Sequence, residues 1–398
     1  MKRLFPIFLA LSLFLPAAAA AQEVLVGMTD TAAYFPLLRG RRVAVLANHT
    51  AVAPAAACGA EAPADRDGRV HLVDLLHARG FDLTGIFSPE HGFRGTADAG
   101  EHVRSSVDEA TGIPVRSLYD GNAQRPSAAA MATFDVLVVD MQDVGVRFYT
   151  YYISMLRMME ACADAGREVI VLDRPNPHGE KVDGPILDMR YKSGVGALPV
   201  PVLHGLTMGE IARMAVGEGW APPCRLRVVP CRNYTHATEY VLPVAPSPNL
   251  PSQRAVYLYP TLCLFEGTVL SVGRGTDRPF ECYGHPALRG CDFAFTPRPT
   301  AGARKPLFEG ERCFGYDLST MATDEARGVG LTLEYLVDAY RRLGMGERFF
   351  KPIFEKLVGV GYVREMIVAG ASADEIRARW AEDVARYLPL RRRYLLYE

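Results

Sequence analysis

The string SPEHGFRG at residues 88–95 places an acid, Glu90, and an imidazole, His91, between a proline and two glycines. Such a segment makes a sharp non-helical turn that can aim Glu90 into a cleft, where burial would raise its pKa and suit it to general acid chemistry. The plainer alternatives are a helix cap or a loop ion pair with Arg94. His91 would orient a substrate or simply bond a neighbouring carbonyl. Further on, DMQDVGVRFYTYY at 140–152 supplies Asp140 and Asp143, then Arg147 and Tyr149 where a helix begins. These carboxylates could bind hydroxyls, act as a base on water, hold a metal, or merely stabilise a turn and a helix N-terminus. DRPNPHG at 173–179 puts Asp173 and Asn176 in a loop stiffened by Pro175 and Pro177. HGLTMGE at 204–210 reads as a capping box from Thr207 to Glu210, which makes Glu210 structural and leaves His204 able to face a pocket. In FEGTVLSVGRGTDRPFE, 265–281, Arg274 between glycines is placed to meet an anion, with Glu266, Asp277 and Glu281 as acidic companions or ion-pair partners. Arg391 to Arg393 read as a solvated helix end. No HExxH and no HxH occurs among the nine histidines, so neither a catalytic metal nor another cofactor is expected.

The elements that must hold these residues are apolar strand runs alternating with helical stretches. Strands are expected at 42–47, 82–87, 113–118, 135–140, 168–172, 200–203 and 226–229, with helices at 70–78, 151–165 and 208–216. Near-continuous apolar runs such as VLVVD and VIVLD belong to strands buried on both faces, hence to a mostly parallel sheet covered by helices. This is a Rossmann-like, doubly wound α/β layout. It lacks the glycine-rich dinucleotide turn, because the first strand runs into Asn48 and His49. In such sheets ligands bind outside the carboxyl ends of the strands. Those ends carry Asn48 and His49, then Ser88 to His91, Asp120, Asp140 with Gln142 and Asp143, Asp173 with Arg174 and Asn176, and His204. Polar groups at successive strand ends point to a polar pocket. The prolines of APSPNLP, 245–251, break the pattern, and beyond them short strands, loops and amphipathic helices at 331–343 and 373–387 suit a smaller α+β domain. The expected division is 22–246 for the Rossmann-like part and 247–398 for the smaller one.

Of 398 residues, 49% are apolar and 22% charged, with a net charge of −1, which excludes a disordered tail, a coiled coil and a polyanion-binding surface. Residues 1–21 have a basic start, an apolar run too short for a comfortable membrane span, and an alanine-rich end, the parts of a secretory signal. Export to a periplasm, or secretion, is therefore expected, without lasting membrane insertion. In that compartment the eight cysteines could pair, and Cys224 with Cys231 and Cys282 with Cys291 are the local candidates.

Taken in order, ANHTAV, SPEHGFRG, DVGVRFYTY, LDRPNPHG, HGLTMGE, SPNLP and LFEGT…SVGRGTDRPFE make the chain resemble the exo-β-N-acetylmuramidases of the NamZ type from about residue 40 to its end. The resemblance implies a glycosidase of peptidoglycan turnover that releases N-acetylmuramic acid from non-reducing ends, with its active site between a Rossmann-like and a smaller C-terminal domain. It implies Glu90 as the leading catalytic residue. Glycoside hydrolysis then asks for a second carboxylate, Asp140 or Asp143, and for an orienting group, His91 or His204. The lactyl carboxylate of muramic acid asks for a cation in a fork geometry, Arg274 or Arg147. Asn48, His49, Tyr149, Asp173, Asn176 and Asp277 complete the expected substrate-binding set. A non-catalytic wall-fragment binding protein and a metal-dependent amidase or deacetylase are the alternatives.

Overall fold

Strands buried along their whole length form the centre of the protein. The computed structural model describes residues 22–59, 64–90, 92–93, 105–118 and 125–398. Its main sheet comprises β1 (Arg42–Ala47), β2 (Asp82–Ser88), β3 (Ser106–Val107), β4 (Pro114–Ser117), β5 (Val136–Asp140), β6 (Glu168–Leu172) and β7 (Arg225–Val229). Every residue of β5 and β6 is buried. The seven strands lie in the order β7-β6-β5-β1-β2-β4-β3. All pairs are parallel except β3 with β4. Among the parallel strands this is the doubly wound order, whose direction of winding reverses between β1 and β5 and opens a crevice at their carboxyl ends. Asn48 and Asp140 stand at that crevice.

Side chains alternate between the faces of a strand, so one sheet feeds two cores. Val43, Val45, Val136, Val138 and Ile170 pack on one side with α1 (Leu72–Ala78) and with Tyr34 and Leu38. Ala44, Leu46, Leu137, Val139 and Val171 face the other core. That second core takes in α2 (Tyr151–Asp164), α3 (Met208–Gly217), α4 (Gln253–Leu262) and the chain that follows them. The later part has a three-stranded antiparallel sheet, β8 (Cys282–His285), β10 (Cys313–Asp317) and β9 (Phe293–Phe295) in that spatial order, with α5 (Glu334–Leu343) and α6 (Ala373–Arg392). It is a smaller α+β unit, as the pattern implied, yet its apolar side chains join the core of the main sheet.

Three expectations are corrected. The run 200–203 adds no strand to the main sheet: only Leu203–His204 pairs, with Val182–Asp183, because Pro199 and Pro201 lack the N–H groups that a ladder requires. All eight cysteines are free thiols. Cys231 Sγ donates instead to the Asp173 carbonyl, and Cys282 Sγ to that of Arg278. Arg391 is buried, its Nε donating to the Gly205 carbonyl at 2.7 Å, so the last turn of α6 docks on the loop before α3. Among the described residues no helix is long and apolar enough to cross a membrane.

Candidate active site

Glu90 lies in the turn that follows β2, closed by the Gly92 N–H on the Pro89 carbonyl, and its Oε2 accepts a hydrogen bond from Thr150 Oγ1 at 2.5 Å. Thr150 is the N-cap of α2, where a threonine hydroxyl would ordinarily accept from the first helical turn. Here it makes no such bond and serves Glu90 instead. The two line a cavity of about 240 Å³ with Phe148, Tyr149, Asn249, Tyr259, Glu266, Arg274 and Phe280.

Two segments are tied together to form that cavity. Tyr149 and Tyr151 both donate to the Pro246 carbonyl, at 2.8 and 2.9 Å, which fastens the SPNLP segment over the start of α2. Asn249 Nδ2 in turn donates to the Gly302 carbonyl at 2.6 Å. On the other wall Arg274 Nε donates to Glu266 Oε1 at 2.6 Å, and the guanidinium lies 5.0 Å from the centre of the Phe280 ring. Burial alone would lower the arginine's pKa, but the adjacent Glu266 carboxylate holds it above its ordinary value. The Nη atoms of Arg274 have no hydrogen-bond partner among the described residues. Phe280 adopts φ of 57°, a left-handed conformation uncommon for a bulky residue. It is held by its N–H bond to the Val272 carbonyl and by Tyr259, whose ring centre is 5.0 Å away. Glu281, the next residue, bonds Ser252 and Arg254 at the start of α4 and anchors this loop.

The other expected site residues that the structure describes are not part of the cavity lining. Arg147 is fully buried and is no reader of substrate carboxylates: it donates to the carbonyls of Pro185, Val200, Leu357 and Val358, joining both parts of the chain. Asp140 pairs with Arg174, both buried. Asp173 accepts from Thr207 Oγ1, the Gly209 N–H and Tyr397 Oη, so it caps α3 and docks the C-terminus. Asn176 donates to the Leu206 carbonyl and accepts from the His178 N–H. Its side chain also packs against Gly145, whose φ of 75° makes the turn into Arg147 and Tyr149. His204 is buried, and burial followed by Arg391 pushes it down to about 3, so it stays neutral. His49 bonds the Ala245 carbonyl through Nε2, and Asn48 accepts from Thr50. Asp277 points to solvent with 85% of its side chain exposed. Asp143 is buried: one oxygen accepts from the Gly145 N–H, the other has no hydrogen-bond partner among the described residues, and burial pushes the carboxyl up to about 7. His91, Arg94 and Asp120 lie outside the described residues.

The cavity therefore unites Glu90, Tyr149 and Arg274, which the sequence singled out, with Glu266, which it offered only as Arg274's companion. Thr150 and Asn249 carried no signal of their own beyond membership of RFYTY and SPNLP. No group of three or more potential metal ligands occurs among the described residues. Two carboxylates, an arginine and aromatic walls at the edge of a doubly wound sheet are the equipment of a carbohydrate-processing enzyme.

The comparisons narrow that class. Profiles described as exo-β-N-acetylmuramidase NamZ, N-terminal and C-terminal, match residues 43–254 and 257–397. The chain belongs to the NamZ family. It is 36% identical over 343 residues to the peptidoglycan β-N-acetylmuramidase NamZ of Bacillus subtilis strain 168, covering 82% of each chain. A crystal structure of a DUF1343 family protein from Bacteroides fragilis NCTC 9343 superposes with a TM-score of 0.85 at 50% identity, covering 95% of this chain and 99% of that one. A second from the same organism gives 0.75 at 28% identity, covering 94% and 99%.

Proposed function

We propose that Glu90 is the general acid of this enzyme and that Arg274, held by Glu266, recognises the lactyl carboxylate of its substrate. The enzyme is an exo-acting glycosidase that releases N-acetylmuramic acid from the non-reducing end of peptidoglycan fragments. The single observation carrying this assignment of roles is the presence in one small cavity of Glu90, oriented by Thr150, and of an arginine whose Nη atoms have no partner among the described residues.

Hydrolysis of the β-glycosidic bond needs a proton on the departing oxygen and negative charge near the oxocarbenium-like centre. Glu90 supplies the proton as the C1–O bond breaks, and water adds to C1, its own proton passing to a carboxylate. Glu266 is the second carboxylate, in place of Asp140 and Asp143, which are sequestered. Its bond to Arg274 holds it in the cavity lining, beside the positive centre. The C–H surface of the sugar ring meets the aromatic lining, Tyr259 above all, while Phe280 lies beneath Arg274.

A cavity of about 240 Å³ suits a terminal sugar with its substituents, in keeping with exo attack. Its lining draws on residues before and after the SPNLP segment, which supports an active site in the cleft between the 22–246 and 247–398 parts. The basic, apolar and alanine-rich order of residues 1–21 supports export and action in the periplasm or outside the cell.

Incubating the mature protein with the disaccharide MurNAc-GlcNAc and with longer peptide-free glycans, followed by mass spectrometry, tests this reading. Free N-acetylmuramic acid should appear from each, with longer glycans shortened only from the non-reducing end. Internal cleavage, or no release by folded protein, would contradict it.

A further inference from the structure

One wall of the cavity is shared with a second pocket. The turn Ser193–Gly196 is closed by reciprocal backbone bonds, and Tyr152 Oη accepts from the Ala197 N–H, which pins it to α2. Val195 on this turn lines the Glu90 cavity, whereas Ser193, Gly194 and Ala197 line a separate pocket of about 310 Å³. Its floor is the stripe Ile153, Arg157 and Glu160 of α2, which continues at helical spacing from Thr150, and Lys192 and Trp220 complete it. Arg157 lies about 10 Å along the helix axis from Thr150, at a rise of ~1.5 Å per residue.

One buried donor of this second pocket is unsatisfied. Arg157 Nη1 is buried and has no hydrogen-bond partner among the described residues. Neither the Arg157 nor the Lys192 side chain has an ion pair among the described residues. Glu160, also in the pocket, pairs with neither. A desolvated guanidinium N–H without an acceptor is destabilising by roughly 1–3 kcal/mol and is uncommon in a native structure unless something else satisfies it. Two cations against one carboxylate leave the pocket net positive, and Trp220 adds a ring face of the kind that sugars and arginines stack on.

We propose that this pocket is a downstream subsite that binds a carboxylate of the wall fragment beyond the bond being cut, with Arg157 as its principal ligand and Lys192 and Trp220 in support. The proposal rests on the muramidase reading of the neighbouring cavity. The carboxylate belongs either to the lactyl ether of the next muramic residue or to an attached peptide. In both cases the subsite makes the enzyme prefer fragments longer than the disaccharide it minimally needs.

The test is calorimetric binding to the Glu90→Gln protein, with and without Arg157→Gln or Lys192→Gln, using MurNAc-GlcNAc, the peptide-free tetrasaccharide and a tetrasaccharide whose second muramic residue bears the peptide. Thermal melts confirm that each variant is folded. Arg157→Gln should weaken tetrasaccharide binding at least tenfold while changing that of the bare disaccharide by less than twofold. A loss confined to the peptide-bearing tetrasaccharide would identify the peptide as the source of the carboxylate. Equal affinity of all three ligands for both proteins, or equal losses on all three, would overturn the subsite. Failure of the muramidase reading shows separately, as no release of N-acetylmuramic acid by the wild type.

Discussion

Thr150 Oγ1 donates to Glu90 Oε2 at 2.5 Å, so the first residue of one helix orients the acid at the end of a distant strand. The hydroxyl is taken from its capping duty to do so. A hydrogen bond between uncharged groups contributes about 0.5–1.5 kcal/mol. Thr150→Val should therefore lower kcat roughly 2- to 10-fold, whereas Thr150→Ser should keep most of it. Steady-state kinetics on a chromogenic muramide reads both, and an unaltered kcat in the valine variant would remove Thr150 from the account.

Arg274 lines the cavity while Glu266 holds its Nε. Arg274→Ala should cost muramides at least tenfold more in kcat/KM than glucosaminides, since only the former carry the lactyl carboxylate. Arg274→Lys should recover little, because a lysine cannot hold Glu266 and a second carboxylate in one plane. Equal losses on both substrates would sink this role.

Asp143 yields a prediction about stability. Burial raises its pKa to about 7 in the folded protein from 3.8, so between these values the folded state binds the extra proton. Its contribution is present in full at low pH and disappears as pH rises through about 7. Asp143→Asn should flatten this decline, with a higher melting temperature than wild type at pH ~8 and little gain near pH ~4. A constant difference across that range, measured by calorimetry, would show that Asp143 is not the group responsible.

Arg147 is predicted to matter for folding and not for selectivity. Replacement by Met leaves the carbonyls of Pro185, Val200, Leu357 and Val358 without their donor in a dry core. A loss of about 3 kcal/mol or more is expected. The readout is the denaturation midpoint, together with an unchanged muramide-to-glucosaminide ratio in whatever folded protein remains.

The contrast between Arg147 and Arg274 shows what a sequence can convey about this site. Buried strands announced themselves, since VLVVD and EVIVL can only be covered on both faces, and the expected strands at 42–47 and 168–172 coincide with those observed. Glu90 and Arg274 stood out because proline and glycine around them force turns. Asp140, Asp173 and Asn176 carry equally suggestive neighbours, but their partners Arg174, Tyr397 and Leu206 come from other elements. Only tertiary packing separates a carboxylate that faces a cleft from one that caps a helix. The same limit hid Glu266, proposed as the second carboxylate because it shares the cavity lining with Glu90, and Thr150, whose type and position announce an ordinary cap.

The most direct test of the central claim is hydrolysis of a chromogenic β-N-acetylmuramide by the mature protein beside its Glu90→Gln variant, with the matching glucosaminide as control. Release of chromophore from the muramide by the wild type, little from the glucosaminide, and a loss of at least 100-fold in a normally folded variant are predicted, in line with the ~10²–10⁴-fold contribution of general acid catalysis. A folded wild type that leaves the muramide intact, or a Glu90→Gln protein that cleaves it at the wild-type rate, would contradict the account.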